Sequence, residues 1–242
     1  MKTLIYDIET SPLEADVWGM WQQNVGLNQL RKPTRMLCFA AKWKGSKKTE
    51  FHSEWGNGTA DMVGAAWELL NAADAVVHFN GTTFDDKHMN REFQEQKLGP
   101  PSPFKKIDVL RTVKSQFRLP SNKLQYVSTW LGLEGKVQHS GHSLWTGVMN
   151  RDPKALKMMR TYNIQDVVLL EKVYDELLPW IVGHPNQNLY DGQGCPKCGG
   201  EHLTKEGFAY TNQGKFQRFS CTQCGAWSKS TQRIDGTQIV GI

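Results

Sequence analysis

Lys2-Thr3-Leu4-Ile5-Tyr6-Asp7-Ile8-Glu9 begins the chain with an apolar run carrying two acids, two positions apart. Its apolar and aromatic composition predicts a strand, which stops at Thr10-Ser11-Pro12 because proline cannot donate to a ladder. Successive strand side chains point to opposite faces, so Asp7 and Glu9 share one. Two carboxylates side by side on a core strand repel and resist desolvation, and a divalent cation is the usual compensation. The competing reading is an exposed edge strand whose acids are merely solvated.

Further strands are predicted over residues 36–43, 49–52 and 75–79, the last closing at Asn80-Gly81. Met62, Val63, Ala66, Leu69 and Leu70 recur at helical spacing over 61–72, and a second helix runs from Asp85 to about Glu95. Residues 107–109 read as a short strand leading into a helix over 110–117, and 122–131 as another helix. The longest helical pattern opens at Asp152-Pro153, an N-cap followed by first-turn proline, and runs to about Trp180. Gly183 to Asn188 breaks it as a linker. This alternation predicts an α/β fold, a mixed sheet flanked by helices.

With 242 residues there is room for one full α/β domain and a small appendage, and none for a polymerase or helicase besides. A charged content of 22% and the lack of any run of ~18 apolar residues argue against a membrane protein. Acids at positions 7 and 9 come too early for a secretory signal, which predicts a cytoplasmic location. The net charge of +5 is compatible with a polyanionic partner without requiring one.

Two further pieces accompany the opening acids. Asn80-Gly81-Thr82-Thr83-Phe84-Asp85 sits at a strand end and opens a helix, where Asp85 can project over the sheet; a plain N-cap role for Asp85 or Asp86 is the alternative. Tyr162-Asn163-Ile164-Gln165-Asp166 lies within the long helix, and its i, i+4 spacing puts phenol and carboxylate on one face. The alternative there is a core tyrosine with an exposed acid. In type, order and separation the three pieces resemble the motifs of the DEDD exonucleases of RNase H-like fold (DnaQ-like), in the branch with tyrosine in its third motif. The histidine branch would need His near position 161, where Thr161 stands. The resemblance covers about residues 1–182 and is nearest the small stand-alone exonucleases of phage and bacterial genomes and the proofreading domains of polymerases. It implies a 3′–5′ exonuclease in which Asp7, Glu9, Asp85 and Asp166 hold two Mg²⁺ or Mn²⁺ ions and Tyr162 orients the attacking water. The chemistry agrees: hard cations take oxygen ligands, and a pair of them can stabilise both attacking and leaving oxygens. A phage-encoded chain would act in the host cytoplasm.

Between the second and third motifs lie Lys105, Lys106, Arg111, Lys114, Arg118 and Lys123, with Phe117, Tyr126 and Trp130 among them. Such a mixture can line a single-strand channel, and it can equally be a solvated helix face over core aromatics. Lys114, Arg118 and Lys123, with Asn80 and Phe84 of the second motif, are the candidate contacts to nucleic acid. Trp18 and Trp21 ahead of Lys32 and Arg35 are open to both readings, and His139 and His142 sit in a Gly/Ser-rich loop, where binding phosphate and plain exposure are both open.

Cys195-Pro196-Lys197-Cys198-Gly199 and Cys221-Thr222-Gln223-Cys224-Gly225 are two tight knuckles flanking a predicted hairpin that turns at Asn212-Gln213-Gly214. In this setting four thiolates predict one structural Zn²⁺, ahead of redox dithiols or disulfides, and resemble a zinc ribbon. A segment this small needs such a staple to fold. Lys215 and Arg218 are its candidate nucleic-acid contacts, and Tyr210, Phe216 and Trp227 are either a gripping surface or the ribbon's own core. Residues 228–242 carry no readable role. The expected organisation is an exonuclease domain over 1–183, a linker over 184–194, and a small β zinc ribbon with a tail over 195–242. The expected partner is nucleic acid, single-stranded DNA ahead of RNA, with a polymerase or another replication or recombination protein beside it. Rival functions are an exoribonuclease, and an adaptor that binds nucleic acid through the ribbon.

Overall fold

β1 (Thr3–Thr10) is free to pair along both edges because it lacks proline, and its Leu4, Ile5, Tyr6 and Ile8 are all buried. The computed structural model describes residues 1–56, 58–133, 141–190 and 192–240. After β1 come two short mutually paired strands, β2 (Glu14–Ala15) and β3 (Leu30–Lys32), then β4 (Met36–Trp43) and β5 (Glu50–Ser53). α1 (Thr59–Asn71), β6 (Ala75–His78), α2 (Asp85–Glu95) and β7 (Lys105–Asp108) follow. The helices α3 (Val109–Gln116), α4 (Leu124–Trp130), α5 (His142–Met149) and α6 (Pro153–Leu177) come next. The chain then forms β8 (Leu203–Tyr210), β9 (Gly214–Cys221) and β10 (Trp227–Gly236).

The five-stranded sheet has the order β5-β4-β1-β6-β7. β1–β4 and β4–β5 pair antiparallel, whereas β1–β6 and β6–β7 pair parallel. Connection length explains the difference: a short turn allows only a hairpin between β4 and β5, while α2 supplies the crossover that a parallel β6–β7 pair needs. The chain divides into two compact units. One comprises Lys2–Arg111 and Leu119–Val173; the other comprises Met1, Thr112–Arg118 and Tyr174–Ile242.

In the first unit, Leu4, Tyr6 and Ile8 of β1 pack with Phe39 of β4, Met62, Val63 and Ala66 of α1, and Met89 and Phe93 of α2. Each such side chain, fully buried, contributes about 1.5–3 kcal/mol. Leu37 and Cys38 of β4 pack with Leu144 and Val148 of α5 and with Met159 and Tyr162 of α6. α6 is also held by a mostly buried ion pair between Lys42 and Glu171, and the Gly45 amide donates to Glu171 at 2.7 Å. Among the described residues no helix is long and apolar enough to cross a membrane.

Two segments differ from the sequence expectation. His142 begins α5 and is not in a loop, because Leu144 and Val148 form an i, i+4 apolar pair that the β4 core accepts; His139 lies outside the described residues. Residues 227–236 form β10, although their mostly polar composition carries no strand signal, because Trp227, Ser228 and Lys229 find register against Ser220, Phe219 and Arg218. In the second unit β10, β9 and β8 form one antiparallel sheet in that order.

Candidate active site and cysteine cluster

Alternation along β1 divides labour between its faces. Tyr6 and Ile8 enter the core against α1 and α2, so Asp7 and Glu9 take the other face. On β4 their register partners are Ala40 and Cys38, small residues that leave space above the acids. From α6 comes Asp166, and the ligand oxygens of Asp7, Glu9 and Asp166 all lie within 4.8 Å of one another.

Asp85 reaches the same strand from another direction. Among the described residues β6 pairs with β1 at Thr3, Leu4 and Ile5 and ends at His78, and no strand is paired with β1 farther along that edge. The Ile8 amide donates instead to Asp85 Oδ1 at 3.3 Å. The turn that carries the chain from β6 to Asp85 depends on two residues. Asn80 adopts a positive φ of 73°, and a Cβ on Gly81 would lie 2.3 Å from the His78 ring. Asp85 is 4% exposed, and burial pushes its carboxyl up to about 7 against the opposing pull of its own and the Ile8 amides. Its neighbour Asp86 has a structural job, accepting from the buried Tyr6 hydroxyl and pairing with Lys106 Nζ at 2.6 Å.

Tyr162 packs edge-on against Trp145 of α5, with ring centroids 6.2 Å apart. Burial first, then the charges of Asp166, Glu9 and Asp7 and a hydrogen bond to Asp166, hold its phenol well above the usual range, so it stays a protonated donor. Sequence reasoning missed Asn163. It is fully buried, and its Nδ2 donates to Asp7 Oδ2 at 2.8 Å and to the Asp7 carbonyl at 3.3 Å. The available signal was its i, i+3 spacing to Asp166, which puts a polar amide on the same helix face as that acid.

The donor set fits hard divalent cations. Three carboxylates this close repel one another unless a cation lies among them, and among the described residues no imidazole or thiolate belongs to the group. Asp85, buried and adjacent through Ile8, adds a further oxygen donor whose ionisation a cation would favour.

The other sequence-nominated residues are placed less decisively. Asn80 Oδ1 accepts from the Thr83 hydroxyl at 2.8 Å, and Phe84 is half-exposed beside His88. Lys114, Arg118 and Lys123 are exposed. Trp18 and Trp21 are almost wholly exposed, while Lys32 pairs with Glu14 at 3.1 Å and Arg35 with Glu54 at 2.9 Å. Tyr126 and Trp130 are partly exposed rather than core residues.

In the second unit the four knuckle cysteines are free thiols whose Sγ atoms lie within 4.8 Å of one another. Cys195 and Cys224 are 3.7 Å apart and Cys198 and Cys221 3.6 Å. A tetrahedron with Zn–S bonds of about 2.3 Å has edges of about 3.8 Å, whereas a disulfide needs about 2.05 Å. The arrangement fits one Zn²⁺. Burial would raise Cys221, but the amides of Cys224 and Gln223 outweigh it and bring the thiol down to about 7, whereas burial raises the Cys198 and Cys224 thiols. Cys195, Cys221 and Ala226, with Leu203, form the buried cluster at the thiols, and Tyr210, Phe216 and Trp227 are not part of it.

The mixed sheet flanked by helices, with a carboxylate cluster shared between its central strand and α6, is an RNase H-like fold of the kind that metal-dependent nucleases use. The model of the RNase_H superfamily matches residues 4–178, and the chain belongs to that superfamily. Among solved structures it is similar to the family B DNA polymerase from the hyperthermophilic archaeon Pyrobaculum calidifontis, with a TM-score of 0.54 and 18% identity. The likeness covers 74% of this chain and 24% of the polymerase, and at that identity it speaks for the fold alone. The comparison with curated proteins yields no match.

Proposed function

We propose that this chain is a 3′–5′ exonuclease that releases nucleotides from single-stranded DNA with two Mg²⁺ or Mn²⁺ ions. The observation that carries the reading is the convergence of Asp7, Glu9 and Asp166, with Tyr162 one helical turn before Asp166. Superfamily membership supports nuclease chemistry, and the sequence resemblance to polymerase proofreading domains points to DNA as the substrate. Bound cations would stabilise the negative charge that develops on the attacking and leaving oxygens. Asp7, Glu9 and Asp166 would hold one ion, and Asp7 with Asp85 the other. Asn163 holds the Asp7 carboxylate in one orientation. Tyr162, kept protonated, orients the attacking water by donating to it and does not take its proton. Asn80, Phe84, Lys114, Arg118 and Lys123 are the residues we assign to contacts with the strand. The functional division we assign is a nuclease domain over 1–183, a link over 184–194 and a structural zinc ribbon over 195–242.

The test uses end-labelled single-stranded DNA with Mg²⁺ and either a free or a blocked 3′ terminus. Stepwise release from the free 3′ end, and survival of the blocked strand, is the expected outcome. Internal cuts or release from the 5′ end would refute the reading.

A further inference from the structure

In an antiparallel sheet, residues directly opposite share a face, as do residues two apart on one strand. The register sets Trp227 opposite Ser220, Lys229 opposite Arg218, and Arg233 opposite Phe216. One face of the sheet therefore carries Phe216, Arg218, Trp227 and Lys229, together with Arg233, whose pairing to Phe216 is flanked by irregularities in the ladder on both sides. Lys215 lies on the other face, opposite both Tyr210 and Asp235. Lys215 and Arg218, close in sequence, thus point to opposite sides. Among the described residues, no acid occupies a paired position on the Arg218 face.

These cations are also held in place. The Arg218 guanidinium lies 4.6 Å over the Trp227 ring, and its Nε donates to the Glu206 carbonyl at 2.9 Å. Lys229 Nζ sits 4.0 Å over the Phe216 ring. Arg233 lies along Gly214 and Gly236, where a Cβ at either position would come within 2.7 Å of its side chain. A cation already seated on a ring or on bare backbone gives up little rotamer freedom when a phosphate docks. Trp227 remains half-exposed, with ring surface for a base.

We propose that this face binds single-stranded DNA, with Arg218, Lys229 and Arg233 on successive phosphates and Trp227 against a base. Three cations without a facing carboxylate complement a polyanion, and exposed aromatic surface on a sheet suits unpaired bases. The choice of DNA rests on the nuclease reading above; the cationic face does not.

The experiment compares the full chain with the triple variant Arg218→Ala, Lys229→Ala and Arg233→Ala, both in an Asp166→Ala background that prevents hydrolysis. Binding of a long labelled single strand is followed by anisotropy across a salt series, without added divalent metal. Loss of three phosphate contacts at about 0.7 each lowers the log–log salt slope by about 2, so the loss of affinity between about 50 and 200 mM salt shrinks roughly 20-fold. Lys215→Ala, on the opposite face, is expected to leave affinity and slope unchanged. Trp227→Leu is expected to weaken binding of DNA more than binding of heparin. With Asp166 intact, the triple variant should cut a very short oligonucleotide as the parent chain does. An unchanged slope overturns the proposal, as does an equal effect from Lys215→Ala or an equal loss of DNA and heparin binding in Trp227→Leu. If the triple variant loses its zinc, Lys229→Gln and Arg233→Gln singly carry the same test, each worth about 0.7 of slope, and unchanged slopes overturn it. A parent chain that binds with the expected slopes but cuts nothing would refute the nuclease reading and leave this face standing.

Discussion

Asn163→Ala probes the site through the residue that the motifs did not reveal. The fully buried amide donates to Asp7 Oδ2 at 2.8 Å, so its loss removes a hydrogen bond to a charged acceptor. Such a bond is worth about 1.5–3 kcal/mol. If it acts wholly on the position of the Asp7 carboxylate, turnover falls between roughly 10- and 150-fold, at 1.36 kcal/mol per decade. A carboxylate left free to rotate would hold a cation less well, so the Mg²⁺ concentration for half-maximal activity should rise as well. Asn163→Asp should be worse, since it puts another carboxylate against Asp7 where a donor had been. The assay is steady-state hydrolysis of single-stranded DNA over a Mg²⁺ titration, with thermal unfolding of each variant as a control for folding. A normally folded Asn163→Ala chain with parental turnover and an unshifted Mg²⁺ midpoint would refute the argument that this amide positions Asp7.

Asp7→Ala and Asp166→Ala should each lower turnover by several orders of magnitude with the fold intact, since each removes a ligand from a cluster of three; kinetics alongside circular dichroism check this. Tyr162→Phe keeps the ring against Trp145 and removes one hydrogen bond, so a drop of about ten- to several-hundred-fold is expected, milder than any carboxylate loss. The pH dependence follows from Asp85, whose folded-state value of about 7 lies above its ordinary 3.8. The metal-free folded state therefore binds this proton more tightly than the unfolded chain does, so this group adds stability as pH falls from about 7 toward 4, and a cation must displace the proton. Mg²⁺ affinity by calorimetry should accordingly weaken by up to about tenfold per pH unit below 7, and Asp85→Asn should remove that slope. The purified protein should carry one Zn²⁺ per chain by elemental analysis, and Cys195→Ser should release it; a chain without zinc, or with a native disulfide between any of the four cysteines, would refute the ribbon assignment.

How much could be read in advance differs from residue to residue. Asp7 and Glu9 were legible because alternation along a strand is a local property, and Tyr162 and Asp166 because i, i+4 neighbours share a helix face whatever surrounds them. The Cys-x-x-Cys knuckles were legible for the same reason, since each is a tight turn complete within a few residues. α5 was missed because its apolar positions acquire meaning only against the β4 core, and β10 because a polar strand is defined by its partner's register rather than by its own composition.

By itself, then, the sequence determined which residue types could meet a metal, and in what order along the chain they occur. The tertiary structure decided the rest. It ended β6 early, so that the Ile8 amide turned to Asp85, and it assigned the adjacent Asp86 to Tyr6 and Lys106. It laid Asn163 on Asp7 across 156 positions of chain, and it sent Lys215 and Arg218 to opposite faces of one sheet while adding Lys229 and Arg233 to the second of them. Strand pairing and helix docking are long-range choices made by burial of apolar surface, and the polar contacts that specify a site fall wherever those choices leave them.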